Sequence, residues 1–187
     1  NVWAIVAGLV SVPLLVAGLG REGFGLWAIV MTFSATNGWA SLADLGVVVA
    51  TTRDVSARLA VDDLDGAHRT VSAGIVAVLG LSLAAGGLLA LAGMTFLPSA
   101  FGADRSTAFS VALLAMALQV AFDLTINVIE AAIEGLQRVD LSRAVDSFRR
   151  FLFVTAISVA ALVTGDLRWV ALASLVATAL AALVALA

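Results

Sequence analysis

Long apolar runs separated by short charged clusters dominate the chain from end to end. A helix needs about 20 residues to cross the hydrocarbon core of a bilayer. The runs lack the ten-residue alternation of apolar and polar positions that a membrane β-barrel requires. The pattern therefore predicts an all-α protein, a bundle of six transmembrane helices. The predicted spans are residues 2–19, 24–52, 70–97, 107–136, 151–165 and 168–187.

The fifth predicted span is the shortest, with 15 uncharged residues. It can still cross a bilayer if the charged side chains at its two ends reach towards the membrane surfaces. Those side chains are Arg149 and Arg150 at one end and Asp166 at the other.

Composition strengthens the membrane interpretation and removes several functional classes. The chain is 62% apolar and 12% charged, with a mean hydropathy of +1.11, whereas soluble domains are about 45–50% apolar and about 25% charged. The absence of cysteine excludes disulfides, thiolate metal sites and cysteine catalysis. There is no basic excess to bind nucleic acid. With no catalytic triad or metal-ligand spacing either, we expect no enzyme activity, catalytic residue, metal or cofactor.

A G-x-G-x-x-G sequence occurs at residues 18–23. Nucleotide binding by such a motif requires a preceding strand and a soluble helix after it. Here the motif joins two predicted spans, which favours a tight external turn.

The arginines are distributed unevenly between the predicted loops. Seven of the ten follow the second and fourth spans, and the other three loops carry one each. The positive-inside rule makes the arginine-rich side cytoplasmic, and the N-terminus is then cytoplasmic as well. The seven are Arg53, Arg58, Arg69, Arg138, Arg143, Arg149 and Arg150.

The fourth span carries polar residues on a single helical face. At about 100° per residue, the five of them fall within an arc of roughly 80°. An ionisable group near the bilayer centre costs at least about 3 kcal/mol unless it is paired or hydrated, so this stripe must face other helices or a water-filled cavity. It consists of Gln119, Asp123, Asn127, Glu130 and Glu134.

Two interpretations of this polar stripe remain open. It can form a proton- or cation-responsive site, or a lining for a hydrophilic substrate; alternatively, its side chains make interhelical hydrogen bonds that fix the packing. Glu134 alone has a simple local explanation, an ion pair with Arg138 four residues later.

The second span offers a partner for the stripe. Asn37 and Asp44 are seven residues apart and share a helical face, at depths that match Asp123 and Glu130. We therefore predict one transport cavity between the second and fourth spans, lined by Asn37, Asp44, Asp123, Asn127 and Glu130.

Three short segments together resemble the Wzx-type polysaccharide flippases of the multidrug/oligosaccharidyl-lipid/polysaccharide exporter superfamily. They are GREGFGLW at residues 20–27, LADLG at residues 42–46 followed by Arg53, and EGLQRVDL at residues 134–141. The resemblance implies a fold of two six-helix lobes around a central cavity. Residues 1–187 would then form the N-terminal lobe, with the second lobe missing from this fragment.

The resemblance also implies a function. Such proteins translocate undecaprenyl-pyrophosphate-linked oligosaccharides across the bacterial inner membrane for surface polysaccharides such as O-antigen. Membrane lipids and the lipid-linked sugar are the expected partners, with a polysaccharide polymerase and glycosyltransferases acting alongside. Five arginines predicted to be cytoplasmic could attract the anionic headgroup: Arg53, Arg58, Arg69, Arg138 and Arg143.

One feature departs from the flippase pattern, because such cavities are often cationic. Every arginine lies in a predicted loop or at the edge of a predicted span, so the ionisable groups within the membrane are expected to be acidic. Two alternatives stay open: a cation-coupled multidrug exporter of the same superfamily, and a non-transporting membrane scaffold. A stripe satisfied wholly by partner helices would favour the scaffold.

Overall fold

The computed structural model describes residues 2–34, 46–101 and 103–186, and this part of the chain contains six helices and no strand. Five of the helices are long and apolar enough to cross a membrane, which confirms the predicted helical membrane bundle. The exception is α2, with 13 residues. The helices are α1 (Val2–Met31), α2 (Val47–Leu59), α3 (Leu64–Phe101), α4 (Ala103–Gly135), α5 (Val139–Thr164) and α6 (Leu167–Leu186).

Helix α4 forms the centre of the bundle and contacts each of the other five helices. Its apolar residues Met116, Val120 and Leu124 are almost completely buried. By contrast, α3 and α6 keep many large apolar side chains exposed, as expected for helices that face lipid. Helix α4 exposes Leu118 and Phe122 on one side, whereas Gln119 and Asp123 of its polar stripe are buried against its neighbours.

The first two predicted spans have different boundaries in the structure. Helix α1 continues to Met31, interrupted only at Gly20, whose φ of 70° and ψ of 173° are not helical. The predicted turn at residues 18–23 is therefore a break at one residue, which glycine permits because it has no Cβ. The second predicted span was wrong as a single helix, since a turn follows Met31 and α2 begins only at Val47.

Helix α5 begins at Val139, well before the predicted start at residue 151. Residues 139–150, which lie between the predicted fourth and fifth spans, are therefore helical. Only residues 136–138 connect α4 to α5, with Gln137 at a positive φ of 59°. The prediction failed because hydropathy treats the charges of this segment as a loop, although arginine is a good helix former.

A capped turn joins α2 to α3. Asp63 accepts a hydrogen bond from the Gly66 backbone N–H at 2.9 Å in the first turn of α3. The same carboxylate pairs with the Arg58 guanidinium of α2 at 2.9 Å. These two interactions, the backbone hydrogen bond first, hold the pKa of Asp63 below its usual range and fix the direction in which α3 leaves α2.

Candidate functional site

The buried part of the polar stripe of α4 faces α5 and α6, whereas Glu134 at its end is exposed. Asp123 is only 4% exposed, and its Oδ1 accepts a hydrogen bond from Nη1 of Arg149 at 3.4 Å. The same arginine nitrogen donates to Oδ1 of Asn127, one helical turn along α4, at 3.3 Å. Arg149 thus lies opposite two adjacent members of the stripe.

Arg149 is a buried cation within a helix of membrane-spanning length. Its side chain is 8% exposed, and its Nη2 also contacts Oδ1 of Asp146 at 3.3 Å. The prediction that every arginine lies in a loop or at the edge of a span was wrong for Arg149, which lies within α5. The spacing of Asp146, Arg149 and Arg150 is that of neighbours on a helix, a sequence signal that could have extended α5 to include them.

The contacts of Arg149 are long for charge-assisted hydrogen bonds, which usually measure about 2.7–2.9 Å. All three lie at 3.3–3.4 Å. Arg150, in contrast, binds Asp146 through Nε at 2.9 and 3.0 Å. The tighter pair anchors Asp146 on its own helix, and Arg149 is held more loosely between several acceptors.

The cluster reaches α6 through two further side chains. Nε2 of Gln119 lies 3.5 Å from Oδ2 of Asp123, and Oγ of Ser174 donates to Oε1 of Gln119 at 2.9 Å. Ser174 is almost completely buried. The polar cluster, defined by Gln119, Asp123, Asn127, Asp146, Arg149 and Ser174, therefore joins α4, α5 and α6.

The two glutamates of the stripe make no hydrogen bond to the polar cluster among the described residues. Oε1 of Glu130 is buried and has no hydrogen-bond partner among the described residues. The predicted ion pair of Glu134 with Arg138 was wrong: Oε1 of Glu134 instead accepts a hydrogen bond from Ser142 of α5 at 3.1 Å. A buried carboxylate oxygen without a partner is costly, so Glu130 marks a place where a proton or a ligand donor would be accommodated.

The other predicted site residues occupy two regions. Asn37 and Asp44 lie outside the described residues, so the predicted cavity between the second and fourth spans is not described. The arginines predicted to attract a headgroup are all exposed. Their two regions lie at the same end of the bundle, because Oγ of Ser56 in α2 donates to the carbonyl of Gly135 in α4 at 3.1 Å. These arginines are Arg53, Arg58, Arg69, Arg138 and Arg143.

Comparison with protein-family models, with curated proteins and with solved structures finds no match for this chain. Within the described residues, no group of three or more histidines or carboxylates could hold a metal ion. What the cluster does offer is an arginine with several exchangeable acceptors, beside a carboxylate oxygen that lacks a donor.

Proposed function

We propose that this chain is a lobe of a flippase that moves an anionic, lipid-linked oligosaccharide across the bacterial inner membrane. The observation that carries the proposal is the buried, loosely held Arg149 inside a membrane bundle. The resemblance of three sequence segments to polysaccharide flippases supports the same class. In this proposal the N-terminus faces the cytoplasm, where the substrate is made. The five exposed arginines predicted to attract the headgroup face the same side.

The physical task explains why a buried arginine is useful. A sugar headgroup and its phosphates cannot enter hydrocarbon unaided, because each unpaired polar group costs several kcal/mol there. A guanidinium binds phosphate through two parallel hydrogen bonds. In the proposed flippase, Arg149 supplies the positive charge that such cavities often carry.

Binding of a phosphate changes the partners of Arg149. The long contacts to Asp123 and Asn127 are given up in favour of the ligand, and Asp123 is left as a buried carboxylate without its cation. Such a group becomes neutral by taking up a proton rather than remaining charged. The lobe therefore couples capture of the headgroup to proton uptake at Asp123, two helical turns along α4 from the unpartnered oxygen of Glu130.

Export of surface polysaccharide tests this proposal. The test uses a bacterial strain that lacks its own flippase. The full-length protein with Arg149→Gln should reach the membrane there and lose at least about tenfold in polymer export. A tenfold loss corresponds to about 1.4 kcal/mol of substrate binding. The matched control is Arg168→Gln. Arg168 is half-exposed at the start of α6, and its ion pair with Asp166 is long, at 4.0 Å. Normal export by Arg149→Gln would reject the proposed role.

A non-transporting scaffold is the second candidate, and the satisfied part of the cluster favours it. Asp123, Asn127 and Gln119 all have partners on other helices. A purely structural ion pair can be replaced by well-packed apolar residues at little cost. If the chain is a scaffold, the double variant Asp123→Leu with Arg149→Met should therefore support as much polymer export as the wild type. If the chain is a flippase lobe, the same variant should insert in the membrane but export no polymer.

A further inference from the structure

An open apolar groove runs between α5 and α6 on the surface of the bundle. Its volume is about 570 Å³. Small residues line its deeper part, including Ala156, Ala160 and Ala177, and they are buried or half-buried. Larger apolar side chains form its rim, and each is more than a third exposed: Phe151, Val159, Trp169, Leu172, Val176 and Leu180.

The groove has the dimensions of a site for a hydrocarbon chain. Along α5 it extends from Phe151 to Thr164, which is about 20 Å at 1.5 Å per residue. One leaflet of the hydrocarbon core is about 15 Å thick, half of the usual 30 Å. The Thr164 hydroxyl at the end of the groove donates to the Ala160 carbonyl at 2.7 Å, so it is satisfied within its own helix.

One end of the groove points towards the polar cluster. Leu152, Ala156 and Ala160 line the groove, and Arg149 precedes them by three, seven and eleven residues. These spacings place the four residues along one face of the helix. Arg149 therefore continues the line of the groove floor by one helical turn, and Leu152 packs against the buried cluster that contains Ile126 of α4.

We infer that this groove holds the hydrocarbon tail of the lipid-linked substrate while its phosphate group binds Arg149. The inference rests on the proposed function and adds the path of the lipid: the tail stays in the seam between α5 and α6, and the headgroup enters the bundle beside it. An apolar tail and an anionic head match a groove that ends one turn from a buried cation. Ordinary phospholipids would fill the groove without preferring it to other lipid-facing surfaces.

Photo-crosslinking of the full-length protein in detergent tests the inference. Three probes carry a diazirine near the end of a hydrocarbon chain: a polyprenyl diphosphate, the corresponding polyprenyl alcohol and a phosphatidylglycerol. We expect the diphosphate to label residues 155–160 and 172–177 at least about fivefold more than the alcohol does, because one basic residue facing an anionic lipid contributes about 1 kcal/mol. Arg149→Gln should remove that preference.

Groove-filling variants supply the control for position. Ala156→Phe together with Ala173→Phe should abolish labelling of the groove, whereas Ala84→Phe, on the exposed face of α3, should not. Equal labelling of the groove by all three probes, or no more labelling there than on α3, would overturn the inference whatever the export result. Labelling that prefers the diphosphate and depends on Arg149, with normal export by Arg149→Gln, would reject the proposed function and leave the groove as a lipid site.

Discussion

The contact between α1 and α5 permits a sharp prediction about the substitution Gly18→Ala. A Cβ added to Gly18 would overlap the Ala161 carbonyl oxygen, and it would lie 2.5 Å from the carbonyl carbon and 3.0 Å from Cβ of that residue. Ala161 is completely buried. Its carbonyl also accepts the Gly165 N–H at 3.0 Å, the hydrogen bond that closes the end of α5. The methyl group therefore meets backbone rather than a movable side chain.

The expected cost follows from these contacts. Overpacking of a tight interior contact costs about 1–3 kcal/mol, and weakening the terminal hydrogen bond adds about 0.5–1.5 kcal/mol. Alanine recovers about 1 kcal/mol in helix propensity. The net loss in the free energy of unfolding is about 2 kcal/mol. At about 2–4 °C per kcal/mol for a chain of this size, Tm should fall by about 4–8 °C.

The measurement is the fraction of detergent-purified full-length protein that stays monodisperse after heating, as determined by size-exclusion chromatography. The matched control is Gly8→Ala in the same helix, because no heavy atom of the described residues lies within 4 Å of a Cβ added to Gly8. The control should melt with the wild type or slightly above it. If Gly18→Ala melts together with Gly8→Ala, then α1 and α5 do not approach as closely as the structure places them.

Two other predictions concern the ends of the bundle. The pKa of Asp63 is lowered in the folded protein, so its cap stabilises the α2–α3 turn at every pH above the unfolded pKa of about 3.8. That stabilisation is lost as the pH falls through the lower pKa of the folded protein. A spin label at Ala60 should therefore gain mobility in that acid range, and Asp63→Asn should remove the pH dependence. Single cysteines at Ala57 and Ser106 should react oppositely with an impermeant thiol reagent added outside cells, with labelling at 106 only; labelling at 57 only would reverse the proposed orientation.

The helical class and the central helix were predictable from the sequence. The apolar runs are too long and too continuous for any other arrangement in a membrane. The fourth span was predicted as residues 107–136 and is observed as Ala103–Gly135. The prediction that its polar stripe faces inwards also follows from energetics alone, because unpaired carboxylates are expensive in lipid.

The errors occurred where tertiary contacts decide local structure. Hydropathy cannot distinguish a charge in a loop from a charge on a helix whose partner lies on another helix. Arg149 and Asp123 are 26 residues apart in sequence, so neither local spacing nor composition pairs them. The beginning of α5 was predicted too late for a different reason, because hydropathy alone treats its charged first turns as a loop. The break at Gly20 needed a backbone φ that only the structure supplies.

The distinction between a packing role and a transport role depends on how completely the polar groups are satisfied. A cluster that only fixes helix packing is expected to pair each buried polar atom, because an unpaired one loses free energy without any compensation. Arg149 and Ser174 satisfy that expectation for Asp123 and Gln119. They do not satisfy it for Glu130, whose buried oxygen has no donor in the described part of the chain. Packing therefore accounts for four of the five stripe residues, including Glu134, which accepts a hydrogen bond from Ser142. Within the stripe, the oxygen of Glu130 is left for a proton or a bound group to complete.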